Sequence, residues 1–400
     1  MNDVYMQKLV SNILTNYNVK DDNFVFIKHY NNLEITRLQI EDMLREHENV
    51  YLLYHEFEQN QVHEAYEPFL AWISDIYYNL YSNKMTVEEF IDKCNVYSLQ
   101  KSVFISYIKN GKCKRSDDVL ISEISFEKMK FYNSMLSIYK YMVNNNRVLF
   151  VLNNLHFADY STISLIYKIL NIDDFKNLGI LATYNESFIH ADYMSEIWNR
   201  FADYINVKNY ANDWAGIDDK RDYTKDENLV FKSERLDDYI LKLNNMLHTF
   251  AIEQAEYYVE SIYQRLEFEN LYAPIKEKRN ILKLYAMVNI YTGMYNKALV
   301  ACENLKLLYK KNEDVLEHFI CEYIMGMAFI YMSQYNSAKK SAKECMNVAK
   351  KLNDDYYIFK AELLDYMIQY YGWNDIIVHN LIKREGDNIL SEDSEESGAA

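Results

Sequence analysis

The sequence predicts an α/β sandwich built on a mostly parallel sheet, followed by an all-α domain of repeated helices. Three observations carry this. Short runs rich in Val, Ile, Leu and aromatics alternate with amphipathic stretches through residues 1–211. From residue 239 only helical periodicity remains, and a motif recurs within it. Breakers are scarce, with 8 Gly and 2 Pro in 400 residues, which favours long helices and tight connections over an all-β architecture.

The first run is FVFI at 24–27, the second VYLLY at 50–54, the third VLFVL at 148–152 and the fourth LGILAT at 178–183. Each is short and apolar throughout, as a strand buried on both faces requires. Between the runs, residues 35–44 and 160–170 place apolar side chains at helical spacing. Strand–helix alternation of this kind predicts helices layered on a parallel sheet. Residues 212–238 turn polar and read as a linker, or as the remnant of a small helical lid. The helical repeats are expected over 239–384, and an acidic, disordered tail over 385–400.

The repeat shows in two segments. YAMVNIYTGMYNKAL begins at Tyr285 and MGMAFIYMSQYNSAK at Met325, so that Ala286 aligns with Gly326, Gly293 with Ser333, Tyr295 with Tyr335 and Ala298 with Ala338, 40 residues apart. A weaker copy lies at 370–377, with Gly372 in the turn, and 239–270 could supply another helix pair. Two helices of a hairpin approach closely only where one side chain is tiny, and an aromatic fills the elbow between them. This order of small, aromatic, Gly, aromatic and Ala positions resembles the tetratricopeptide repeat. Ser333 departs from it, and the period is longer than usual. The resemblance implies stacked hairpins that offer a concave groove to a partner protein.

The net charge is −16, which disfavours phosphate backbones and anionic membranes as partners. The basic cluster of Lys109, Lys112, Lys114 and Arg115 is followed by Asp117 and Asp118 and reads as a solvated loop. Tyr is abundant at 38, which reads as the compositional bias of an A+T-rich coding sequence. Five Cys, without a CxxC pair, point to reduced thiols. The opening MNDVYMQKLV lacks an apolar signal core, and no apolar run approaches the roughly 20 residues of a membrane span. A cytoplasmic location is expected.

Residues 147–170 read RVLFVLNNLHFADYSTISLIYKIL: an apolar strand, then Asn153 and Asn154, then Leu155-His156-Phe157-Ala158-Asp159, then a helix. This resembles the Walker B region of the STAND class of AAA-related ATPases, in which a hydrophobic strand ends in two acids followed by Leu-His-Trp-Ala-Asp. GILATYNE at 179–186 is similar to the next strand of that family, with Thr183 at the sensor position. The resemblance implies a P-loop-NTPase-like sandwich. It extends to the helices, since the family often continues into tetratricopeptide-like repeats, as in large bacterial transcription activators of the maltose-regulator and LuxR type.

Against that family the chemistry is degenerate. A Walker B acid binds Mg²⁺ and its neighbour polarises the attacking water. Asn153 and Asn154 put amides at both positions. An amide oxygen is a weak metal ligand and no general base. The phosphate loop, G-x-x-x-x-G-K-[ST], should follow the first strand. The eight residues there run from His29 to Thr36, and only Thr36 fits. His29 and Glu34 replace the two glycines, and Ile35 replaces the lysine. Without glycines the backbone amides cannot turn inward around a phosphate. The first Gly of the chain is Gly111, so no nearby loop substitutes. No catalytic residue, cofactor or metal ligand is therefore expected.

Other chemistries are poorly represented. His55 and His63 flank Glu56 and Glu58 without an HExxH spacing, and no GxSxG occurs. His156 reads as a packing or hydrogen-bonding residue. Cys302, Cys321 and Cys345 fall on repeat helices as ordinary core. The expected function is that of an inactive STAND-type regulatory or scaffolding protein, acting through protein contacts of its repeats. The alternatives are a transcription regulator that needs a DNA-binding partner, because no DNA-binding domain is visible, and an ATPase with an atypical nucleotide site.

Overall fold

The computed structural model describes residues 3–15, 23–29, 35–45, 47, 49–59, 64–114, 124–144, 146–172, 175, 177–188, 190–213, 236–268, 273–309 and 314–371. Contacts divide the chain into two units, Met1–Tyr258 and Val259–Ala400.

In the first unit, helix α1 (Asp3–Thr15) precedes strand β1 (Phe24–His29), α2 (Arg37–Leu44) and β2 (Val50–Glu56). A helical stretch follows: α3 (Phe69–Ile76), continued by a wider turn over Tyr77–Tyr81, then α4 (Val87–Lys93), α5 (Ser98–Asn110) and α6 (Ile124–Val143). Strand β3 (Arg147–Asn153) leads through a single tight turn at Leu155–Phe157 into α7 (Tyr160–Asn171). Then come β4 (Leu178–Asn185), α8 (Asp192–Val207), β5 (Ala211–Asp213), α9 (Leu236–His248) and α10 (Ile252–Phe268).

The strands form a five-stranded sheet in the order β2-β3-β4-β1-β5, with every pairing parallel. The four apolar runs named from sequence are β1 to β4. The short β5 carries too little apolar sequence to have been legible. Side chains alternate between the two faces. Val25, Ile27, Leu149, Val151 and Leu181 face a core closed by Met6, Val10, Ile13 and Leu14 of α1 and by Ile40 of α2. Gly179 lets α1 approach this face, because a Cβ there would collide with Ile13. On the opposite face Phe26 meets Phe201 of α8 edge-on at 5.4 Å, and Phe150 packs on Phe69, Trp72 and Tyr139. Helices on both faces and buried apolar strands make this an α/β domain.

Residues 214–235, the core of the polar stretch, lie outside the described residues. The segment that follows them is tied to the first unit: the Tyr66 hydroxyl donates to the Thr249 carbonyl at 3.2 Å, and the Cys113 amide to Asn245 Oδ1 at 3.3 Å.

The second unit is helical. Helices α11 (Ile275–Tyr291), α13 (Val315–Tyr331) and α15 (Asp355–Tyr371) begin at 40-residue intervals, with α12 (Tyr295–Leu308) and α14 (Tyr335–Leu352) between them. The two complete turns match in detail. Gly293 and Ser333 both take left-handed backbone, with φ of 80° and 59°. The amide of the next residue then reaches back five positions, Met294 to Asn289 and Gln334 to Phe329, each at 2.8 Å. Gly326 serves a different neighbour from the one its motif position implied: a Cβ there would meet Leu364 of α15 at 2.7 Å. All five cysteines are free and buried. The third copy's turn at Gly372, and the tail over 385–400, lie outside the described residues.

Candidate functional site at the carboxyl edge of the sheet

In an open parallel sheet, ligands bind beyond the carboxyl ends of the strands. That edge here carries His29 at the end of β1, Glu56 at the end of β2, Asn153 at the end of β3 and Asn185 at the end of β4. Because β4 lies between β1 and β3, Ile35, the Asn pair and Thr183 come together. These belong to the three segments that the sequence singled out, although 118 residues separate Ile35 from Asn153 and 29 separate Asn154 from Thr183.

Asn153 is 1% exposed and its side chain is fully engaged. Its amide donates to the Ile35 carbonyl at 2.5 Å and to the Tyr54 hydroxyl at 2.9 Å. The Tyr54 hydroxyl donates in turn to the Ile35 carbonyl at 2.8 Å. The Thr183 hydroxyl lies 3.5 Å from Asn153 Oδ1 and accepts from the Asn154 backbone amide at 3.0 Å. Asn154 itself sits in left-handed backbone, φ 56°, which its residue type tolerates. The Asn153 side chain and the Asn154 backbone thus hold chain together. A carboxylate at 153 could not donate to a carbonyl at all.

Ile35 does the reverse of what a lysine at its position would do. It is 2% exposed and belongs to the apolar core between the sheet, α1 and α2. Thr36 caps α2: Gln39 N–H donates to Thr36 Oγ1 at 3.3 Å, while the Thr36 amide donates to Gln39 Oε1 at 3.0 Å. The chain's own side chains therefore satisfy donors at the start of this helix that would otherwise face an anion. Glu34 lies outside the described residues. The residues that are described fit neither a triphosphate nor Mg²⁺.

His29 is buried, and its ring meets that of His156 edge-on at 5.9 Å. His156 Nδ1 accepts the Asn185 amide at 3.1 Å, which makes it the hydrogen-bonding residue the sequence implied. Phe157 and Phe188 pack on the His156 ring, and His190 lies on Trp198 at 4.3 Å. Burial drives His156 down to about 2, and its neighbours His29 and His190 push the same way. Burial alone lowers His190 to about 4. Both rings are neutral at physiological pH, and the cluster is apolar in effect. The Phe188, His190 and Trp198 part of it follows β4, where no motif marked it in sequence.

Asp159 of the LHFAD segment is a helix cap. It accepts the Thr162 amide at 3.0 Å and the Thr162 hydroxyl at 2.6 Å, and Ser161 Oγ donates to it as well. His55 Nε2 lies 3.8 Å from Glu67 Oε1, and His63 lies outside the described residues. Among the described residues no group of three or more His, Cys, Asp or Glu is arranged to hold a metal ion, and no helix is long and apolar enough to cross a membrane.

In comparisons with known proteins, no family model, no curated protein and no solved structure matches this chain.

Proposed function

We propose that this chain is a catalytically inactive relative of the STAND-class ATPases, acting as a regulatory or scaffolding protein through contacts of its helical repeats. One observation carries the reading. Asn153, at the position of the metal-binding acid, donates to the main-chain carbonyl of Ile35, at the position of the phosphate-binding lysine. The side chain at the metal position is thereby spent on main chain at the lysine position, and the side chain at the lysine position is spent on the core. The convergence of Ile35, the end of β3 and Thr183 on one edge supports kinship with a nucleotide-binding sandwich. The left-handed turns repeated at Gly293 and Ser333 support tetratricopeptide-like hairpins, a scaffold that works by presenting surface. With Ile35, Thr36 and Asn153 engaged within the chain, the repeats are where partner contacts would be made.

Isothermal calorimetry with Mg²⁺ and ATP tests this. No heat of binding is expected, and no phosphate release. Micromolar affinity for ATP would remove the inactive assignment and favour an atypical nucleotide site.

A further inference from the structure

Helix α14 has two chemically opposed sides. Ala338, Ser341, Ala342, Cys345, Val348 and Ala349 are buried and fall on one of them. Lys339, Lys340, Lys343, Lys350 and Lys351 are exposed and, at 3.6 residues per turn, share an arc of about 120° on the other. Their ammonium groups follow one another along about 18 Å of helix axis. Asn336 and Asn347 lie within the same arc and are also exposed.

Among the described residues none of these lysines is in an ion pair. The single acid of α14, Glu344, is directed to His318 Nε2 at 3.9 Å and to the Asn347 side-chain amide at 3.3 Å. Like charges one turn apart, as at Lys339 and Lys343, repel one another and weaken a helix. Only Lys350 and Lys351, in the last turn, complement the helix dipole, and the exposed side chains of Lys339, Lys340 and Lys343 add no buried packing. The lysine face is not a feature of the repeat: three of the five positions, forty residues earlier on α12, carry Leu299, Val300 and Glu303.

The rest of the chain decides between anionic partners. With a net charge of −16, the surface beyond the stripe repels any polyanion that extends past it. A nucleic acid or a charged bilayer extends past it on every side. A short acidic peptide laid along the stripe does not, and charges more than a Debye length of about 8–10 Å away are largely screened from it. We propose that the lysine face of α14 docks an acidic segment of a partner protein, one with carboxylates at helical spacing along about three turns. This rests on the reading that the repeats act through protein contacts, and it names the chemistry of the partner.

The test uses the full chain and fluorescence anisotropy. The probes are a labelled peptide of about 18 residues with Glu at every third or fourth position, its Gln-for-Glu twin, a short DNA duplex and phosphatidylserine vesicles. The acidic peptide is expected to bind wild type and to weaken as salt rises. It should bind the K339E/K343E/K350E variant about tenfold more weakly, and its Gln twin should bind wild type about tenfold more weakly. All three substitutions are at exposed positions, so the variant's thermal melt should match wild type. Equal binding by variant or by twin overturns the proposal, as does tighter lysine-dependent binding of duplex or vesicles. A tenfold gain in peptide affinity on neutralising the chain's own acids (E392Q/D393N/E395Q/E396Q) also overturns it, in favour of an internal occupant. Absence of all peptide binding removes the lysine face and leaves the scaffold reading to the ATP measurement, so the two fail separately.

Discussion

The side-chain amide of Asn153 donates to the main-chain carbonyl of Ile35, so the end of β3 is fastened to the entrance of α2. A carboxylate of the same shape would turn this contact into repulsion between two acceptors inside a site that is 1% exposed. Asn153→Asp is expected to destabilise the protein by about 1–3 kcal/mol at neutral pH, the cost of a buried polar group left unsatisfied. The loss should shrink on acidification, as the new carboxyl takes up a proton and regains a donor. Urea denaturation at two pH values measures this. A variant as stable as wild type would mean that Asn153 does not fasten the site.

Ile35→Lys tests the second half of the same relationship. The Ile35 side chain is packed against the sheet and α1, so a lysine there must bury its charge or pull the segment out. Roughly 3 kcal/mol or more of stability should be lost. ATP binding should not appear, alone or together with Asn153→Asp. A thermal melt close to wild type, with nucleotide binding restored, is the contrary result.

Acid should destabilise the first unit. In the unfolded chain His156 and His190 titrate near 6.5, whereas in the fold they are lowered to about 2 and about 4. Stability is therefore complete above pH 6.5 and falls below it, until about pH 4 for His190 and about pH 2 for His156. Each group contributes a slope of up to about 1.4 kcal/mol per pH unit. His190→Leu should flatten the dependence between pH 6.5 and 4. An unchanged slope in that variant would show that His190 is not held neutral by burial.

Ser333→Gly should stabilise the second unit by about 1 kcal/mol. Ser333 holds a φ of 59°, where an L side chain crowds its own carbonyl, while Gly293 takes the same turn without that crowding. The gain is smaller than the full steric cost because glycine also loosens the unfolded chain. A lower melting temperature would contradict it.

Gly326→Ala should behave in two ways. In wild type the new methyl meets Leu364, and overpacking of about 1–3 kcal/mol outweighs the helix propensity gained. In a Leu364→Ala background the same change should become stabilising by about 1 kcal/mol. A double-mutant cycle reads the reversal directly, and simple additivity would show that the two residues do not touch.

Much of the fold is legible in sequence because its signals are local. FVFI, VLFVL and LGILAT form buried strands, as short runs of that composition between turn signals suggest, whereas VYLLY lies at the sheet's edge and is mostly half-buried because β3 covers only one side of it. Tyr295 and Tyr335, beside Gly293 and Ser333, betray the hairpins because a left-handed turn needs a small residue at a fixed place. That His29, Ile35, Asn153 and Asn154 are not the glycine, lysine and acids of a nucleotide site is likewise written in residue types. What these residues do instead is not. That Asn153 reaches Ile35, that Tyr54 joins them, that Phe188 and His190 close over His156, and that Gly326 makes room for Leu364 all depend on strand order and helix stacking. Those contacts cross from dozens to more than a hundred residues of chain, and hydrogen bonding and packing are short-range forces that act only once the sheet has set β4 between β1 and β3.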